Sequence, residues 1–171
     1  MKKQPKSKIW LTEALFYLLK TKSFSKITIN DIAKKAGVSR LTFYRNFNSK
    51  EDILQQRFDT LFDNFYNDIT KNNITSVRDT ILLVFSYWYK NQEYLKILID
   101  NKLEKNIYTN FNTYILRIFN KLNIAEFYSP EHITFISGGL FFSMINWIEG
   151  NCQQSPKEIT NSIIKILKSP Q

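Results

Sequence analysis

The chain has 171 residues, a net charge of +9 and 15% aromatic residues, but only 4 Gly and 4 Pro. So few breakers among so many Leu, Ile, Lys and Asn exclude a fold of short strands, and the chain reads as all-α with about nine helices. Cys152 is the only cysteine and His132 the only histidine, which excludes an internal disulfide and a zinc site of the usual ligand count. The compartment this suggests is reducing and cytoplasmic.

The placement of the charge says more than its size. Residues 1–57 hold thirteen Lys or Arg against four Asp or Glu, whereas residues 58–171 hold eleven of each. A basic unit confined to one end of a chain is the electrostatic footprint of a nucleic-acid binder.

Residues 1–7 are polar and form a basic arm, followed by a first helix expected over residues 7–22 with a stripe of Ile9, Leu11, Ala14, Leu15, Leu18 and Leu19. Glu13 interrupts that apolar run and no small-residue cleavage site follows, so it does not read as a secretory signal. Ser23 and Phe24 make the bend into the next helix. There Thr28 is an N-cap, Asp31 closes a capping box, and Ile29, Ile32 and Ala33 share a face. Gly37 stands where the helix end needs a left-handed residue, and Ser39 caps a third helix of about two turns. Phe43 and Phe47, four apart, face inward; Arg40, Leu41, Tyr44 and Arg45 are left outward. A short helix of this kind, cationic and aromatic on its free face, suits the major groove, where Arg reads guanine edges.

Ser49, with Asp52 completing a box, starts a fourth helix that runs to about residue 71. Leu54, Phe58, Leu61 and Phe65 form its stripe, widened by Phe62, Tyr66 and Ile69. No Gly or Pro occurs from residue 38 to 129, so one stiff element joins the basic unit to the neutral remainder. Further helices are expected over residues 76–90, 94–99 and 102–122, the last with Ile107, Phe111, Tyr114, Ile118 and Leu122 on one face. Ser129-Pro130 opens a helix to about residue 150, and Ser155-Pro156 with Glu158 opens the last, to about residue 168. The stretch 133–148 is too short and too interrupted by polar residues to span a bilayer, so no membrane partner is expected. It is nonetheless apolar around most of its circumference, which demands cover on more than one side. Gly138 and Gly139 make sense there if another backbone or a bulky ring comes close. A second copy is the simplest cover. The expected homodimer face is Ile136, Gly139, Leu140, Ser143, Trp147, Ile159, Ile163, Ile166 and Leu167.

The run ITINDIAKKAGVSRLTFYRNFNSKEDIL closely resembles the DNA-binding domain of the TetR family of transcriptional regulators, and the resemblance covers roughly residues 8–55. It implies an N-terminal helix-turn-helix domain over residues 1–48 and a ligand-binding and dimerisation domain over residues 49–171. It also implies a homodimer on an inverted-repeat operator in double-stranded DNA, acting more often as repressor than as activator. Carried onto matching positions, the DNA contacts are Thr28, Ser39, Arg40, Leu41, Thr42, Tyr44, Arg45, Asn46 and Lys50. Thr28, Asn46 and Lys50 would take phosphates; Arg40 and Leu41 would face base edges, with Leu41 suited to a thymine methyl. Two positions depart from the pattern. Ser23 replaces a usual Gly, and a left-handed residue there would cost about 1 kcal/mol more than Gly. Asn46 replaces a frequent His.

The resemblance also implies a small-molecule pocket in the second domain. Its candidate walls are Phe62, Tyr66, Phe85, Trp88, Tyr89, Phe111 and Tyr114, which would suit a small apolar or aromatic effector. An aromatic stripe at helical spacing needs no ligand to explain it, so ordinary core packing stays open for each. No cofactor is expected. The segment SGGLFFSMINWIEGNCQQSPKEI looks like a C-terminal domain of a TetR-like branch from Gram-positive bacteria, some members of which are co-activators working through a protein partner. That is the alternative role. No metal cluster, phosphate-binding loop or nucleophile with a base supports an enzyme.

Overall fold

The computed structural model describes residues 5–72, 74–123 and 125–168. These form nine α-helices and no strand: α1 (Lys6–Leu19), α2 (Ile29–Lys35), α3 (Arg40–Asn46), α4 (Lys50–Lys71), α5 (Val77–Lys90), α6 (Gln92–Asp100), α7 (Glu104–Lys121), α8 (Pro130–Glu149) and α9 (Pro156–Lys168). Short 3₁₀ turns lie at Phe24–Lys26 and Ala125–Phe127. Most of the basic arm expected ahead of α1, residues 1–4, lies outside the described residues.

Local chemistry sets most of the helix starts. The Thr28 hydroxyl accepts from the Asp31 amide while the Asp31 carboxylate accepts from the Thr28 amide, a closed capping box. Ser155 and Glu158 make the same reciprocal pair at α9. Ser39, Ser49, Ser76 and Ser129 each accept an amide of the first turn that follows. The box expected at Ser49 is displaced by one residue: Asp52 reaches back to the Asn48 amide at 3.0 Å. Gly37, at φ +67°, is the left-handed residue that ends α2. Ser23 is not left-handed. Its φ of −59° and ψ of 145° are ordinary extended backbone, so the strain expected there does not arise. The first helix also stops three residues short of the expected end, at Leu19.

Packing does the rest. The first three helices stack together, with α1 crossing α2, α3 and the start of α4. Leu11, Leu15, Ile27, Ile32, Phe43 and Ile53 are fully buried there. Farther along, α4 packs on α5 and α7, α7 on α8, and α5 on α9. The apolar sheath of α8 divides in two. Ile133, Phe141, Met144, Ile145, Trp147 and Ile148 are buried within the chain. Phe135 and Phe142 stand out, 82% and 60% exposed. No close neighbour explains the glycines from inside the chain. A Cβ on Gly138 would make ordinary contact with the Tyr108 hydroxyl at 3.6 Å, and one on Gly139 would meet nothing within 4 Å.

Candidate nucleic-acid interface

The free face of α3 is built from beneath. Phe43 and Phe47 are buried with ring centroids 6.1 Å apart, which fixes the helix against α1 and α2. The opposite face then has no choice but to stand in solvent. Leu41 is 61% exposed, and Arg40, Tyr44 and Arg45 are exposed beside it. An exposed leucine between two arginines has no folding role here. Arg40 donates to the Tyr44 hydroxyl at 3.3 Å and lies over its ring at 5.6 Å, so the two side chains are held as a pair one turn apart. The Ser39 and Thr42 hydroxyls are linked at 2.9 Å at the head of the same helix.

The supporting positions are more engaged than sequence reasoning expected. The Asn46 amide donates to the Thr42 carbonyl at 2.7 Å and the Ser7 hydroxyl at 3.3 Å, tying the end of α3 to the start of α1. Lys50 donates to the Phe24 carbonyl at 2.6 Å and the Ile27 carbonyl at 2.9 Å, with its ammonium 4.4 Å from the Phe24 ring centroid. Two of its three N–H groups therefore hold the turn before α2 against α4, leaving one for a phosphate. Asp31 does double duty. It closes the α2 cap and accepts from Lys22 at 2.7 Å, and these bonds, that of Lys22 first, pull its carboxyl from 3.8 down to about 2.

Sequence reasoning missed the joint between this unit and the rest. Asn101, at the end of α6, donates to the Leu19 and Ile97 carbonyls at 3.1 and 2.9 Å and accepts from the Phe24 amide at 3.2 Å. Lys20 pairs with Glu93 of α6 at 2.6 Å, and the Phe16 and Tyr94 rings stack with centroids 3.7 Å apart. The expected lever, α4, is thus joined by a strut, α6, bonded to the C-terminal end of α1. No periodicity marks Asn101, because its partners lie 77 and 82 residues away.

The expected effector walls come together only in part. Phe62, Trp88 and Phe111 line a cavity between α4, α5 and α7, but its volume is about 10 Å³, room for about one water. Tyr114 stacks face to face on Phe62 at 3.5 Å and donates its hydroxyl to Asp59, and burial pushes its ionisation far up. Tyr66 lies under the Arg117 guanidinium at 4.9 Å. Phe85 is fully buried on the other side of α5, edge-on to Trp147 at 5.3 Å. Tyr89 is exposed and also leans on Trp147, at 6.0 Å, so neither borders the cavity.

Of the expected dimer face, Trp147 and Ile163 are buried within their own chain, and the indole N–H donates to the Gln154 carbonyl at 2.9 Å. They belong to the core that holds α9 on α5. Gly139, Ile166 and Leu167 are exposed, and Ile136, Leu140, Ser143 and Ile159 are half-buried. The free surface is completed by Phe135 and Phe142, which share a helix face with Gly139 and could have been read from the 3.6-residue period.

Two capped helices joined by a left-handed glycine, the second fixed by buried aromatics and cationic outside, define a helix-turn-helix DNA-binding protein. The model described as "Bacterial regulatory proteins, tetR family" matches residues 11–56, and one described as "Transcriptional regulator C-terminal region" matches residues 75–169. The chain belongs to the TetR family of transcriptional regulators. It is similar to the HTH-type transcriptional regulator EthR of Mycolicibacterium smegmatis, 40% identical over 76 residues, covering 40% of this chain and 35% of that one. It is also similar to the dhaKLM operon transcriptional activator DhaS of Lactococcus lactis subsp. lactis, 28% identical over 103 residues, covering 60% and 54%. The matched part thus spans between a third and about half the length of these relatives. In fold, Lin0861 from Listeria innocua superposes with a TM-score of 0.82 at 17% identity over 97% of this chain and 91% of that one. The transcriptional regulator FadR from Bacillus subtilis, in complex with stearoyl-CoA, superposes with a TM-score of 0.58 at 18% identity over 94% of this chain and 97% of that one. Among the described residues, no helix is long and apolar enough to cross a membrane.

Proposed function

We propose that this TetR-family DNA-binding regulator acts as a homodimer on an inverted-repeat operator, more often as repressor than as activator, and is released by a small apolar effector. Residues 1–48 serve as the DNA-binding unit and 49–171 as the effector and dimerisation unit. The observation that carries this reading is the free face of α3. Arg40 and Leu41 stand at its head for base edges, and Tyr44 and Arg45 reach bases or phosphate one turn on. Thr28, Ser39, Thr42, Asn46 and Lys50 ring it with hydroxyls, amides and an ammonium for the phosphates. A helix of 7 residues reads few base pairs, so a two-fold partner is needed to reach useful selectivity.

The exposed strip of Phe135, Gly139 and Phe142 on α8, together with exposed Ile166 and Leu167 on α9, supports that partner being a second copy. A residue without a side chain between two protruding phenylalanines suits self-complementary packing. An effector that enters between α4, α5 and α7 must part them, since the cavity is now one water wide. Parting them tilts α4 and with it the reading head, a population shift between two dimer geometries.

The test is selection of genomic fragments by the purified full chain, followed by titration of a selected duplex. The expected outcome is an inverted repeat with half-sites about one helical turn apart, or a multiple of it. Affinity should fall steeply with salt, with a slope of roughly −0.9 per phosphate neutralised. Equal affinity for selected and random duplexes in moderate salt would overturn the reading and leave action through a partner protein in its place.

A further inference from the structure

The turn that leads from α1 into α2 is gripped from two sides, and the two grips meet on one residue, Phe24. The Phe24 amide donates to Asn101 Oδ1 at 3.2 Å, at the end of α6. The Phe24 carbonyl accepts from Lys50 Nζ at 2.6 Å, at the start of α4. Asn101 also donates to the carbonyl of Leu19, the last residue of α1, at 3.1 Å, and to the Ile97 carbonyl of its own helix at 2.9 Å. Its carboxamide is thereby used in full: both N–H groups meet carbonyls and the oxygen meets an amide. Reversing the group would set its oxygen against two carbonyls, so one orientation fits.

The end of α6 that carries Asn101 is itself closed. Lys102, left-handed at φ +57°, donates its amide to the Ile99 carbonyl at 2.8 Å, and Leu103 donates to the Leu98 carbonyl at 3.0 Å. These are the paired bonds of a Schellman motif, with Leu98 and Leu103 both buried. The neighbouring contacts between α6 and α1 fix position less well. The Lys20–Glu93 pair is open to water, with side chains 50% and 79% exposed, so it is weak and weakens further with salt. The Phe16–Tyr94 stack holds the two helices together, but apolar attraction is non-directional and permits sliding. The Asn101 bonds are directional and partly buried, so they decide where the turn sits on α6.

We infer that Asn101 is a positioning residue for operator recognition. It fixes the turn before α2 on α6, and so the angle at which α2 and α3 leave the rest of the chain. This rests on the protein acting as a dimer on an inverted repeat, where that angle sets the separation of the two recognition helices. Asn101 acts on which half-site spacing is accepted and not on which bases are read, since its bonds go to Leu19, Phe24 and Ile97 and none reaches α3.

The test is binding of the full chain to a selected operator rebuilt with its spacer one or two base pairs shorter or longer, with a duplex carrying a single half-site as reference. Each added base pair moves one half-site by about 3.4 Å and turns it by about 35°. The wild-type chain should lose about tenfold or more in affinity at the first step away from the selected spacer. Asn101→Leu, near in size and unable to hydrogen-bond, should lose less than about threefold at that step, while its affinity for the single half-site stays within about twofold of wild type. Asn101→Asp keeps the bond from the Phe24 amide and loses the two donated ones, so its profile should fall between; it carries the test if circular dichroism shows Asn101→Leu unfolded. A variant profile as sharp as that of the wild type, or a loss on the single half-site equal to the loss on the operator, would overturn the inference and leave the dimeric reading standing. A wild-type profile with no preferred spacer would overturn both.

Discussion

The free faces of α3 and α8 are both unpartnered in a single chain, and they are opposites. The α3 face carries two guanidinium groups and a phenol that water solvates well, around one exposed leucine. The α8 face carries two phenylalanines that water does not solvate, flanking a glycine with open space above it. A charged face can wait for a partner at no cost in solubility, so it suits a ligand that comes and goes with salt and effector. An apolar face cannot wait, so it suits a permanent neighbour. The same contrast runs through the two halves. The small basic unit fixes short helices with caps and a few buried rings, whereas the neutral half adds to its caps the mutual packing of long helices.

The sharpest break between supported and supporting surfaces comes from two phenylalanines. Phe43→Ala should destabilise the chain by about 3–5 kcal/mol in thermal or urea unfolding, because it empties a fully buried site under α3. Phe135→Ala, at an 82% exposed position, should leave the unfolding of a chain kept monomeric within about 0.5 kcal/mol of wild type. Equal effects would erase the distinction drawn here.

Next in size is the charge test of the apolar face. Phe142→Asp should weaken self-association by about a hundredfold in sedimentation equilibrium, about 2.7 kcal/mol, while leaving helicity intact. An unchanged association constant would remove α8 from the interface.

Smaller effects separate reading from anchoring on α3. Arg40→Ala should cost about 1–3 kcal/mol of operator affinity and little on random duplex, so the ratio of the two falls in a competition assay. Lys50→Ala should lower both alike and also loosen the 3₁₀ turn at Phe24–Lys26, seen as faster amide exchange there.

The least effect belongs to the capping carboxylate. Asp31, held at about 2 against an ordinary 3.8, stabilises the fold fully above about pH 4 and loses that contribution as pH falls through 2. In an NMR titration its midpoint should lie near 2, and the Thr28 amide, which donates to it, should shift with the same midpoint. A midpoint near 3.8 would mean that neither Lys22 nor the Thr28 amide holds it.

Much of this molecule was legible along the chain. The caps at Thr28, Ser39, Ser76, Ser129 and Ser155, the left-handed Gly37, the burial of Phe43 and Phe47 and the exposure of Arg40, Leu41, Tyr44 and Arg45 all follow from interactions within one or two helical turns. Sequence spacing encodes such interactions directly. The expected dimer face was legible as a helix and blurred as a surface. Trp147 and Phe142 are equally apolar in sequence, and only the position of α5 decides that the first is core and the second free.

What the order of residues determined by itself is therefore the set of helices, their ends, the inward and outward faces of the short ones, and the concentration of charge at one end. The tertiary structure alone decided three matters. It left the expected pocket at about 10 Å³, it turned Lys50 and Asn46 into ties within the chain, and it opened a cleft between α1 and the α4–α6 pair. The reason is range: capping and periodicity act over three or four residues, whereas a cavity or a joint is the meeting of elements tens of residues apart, whose separation no local pattern records.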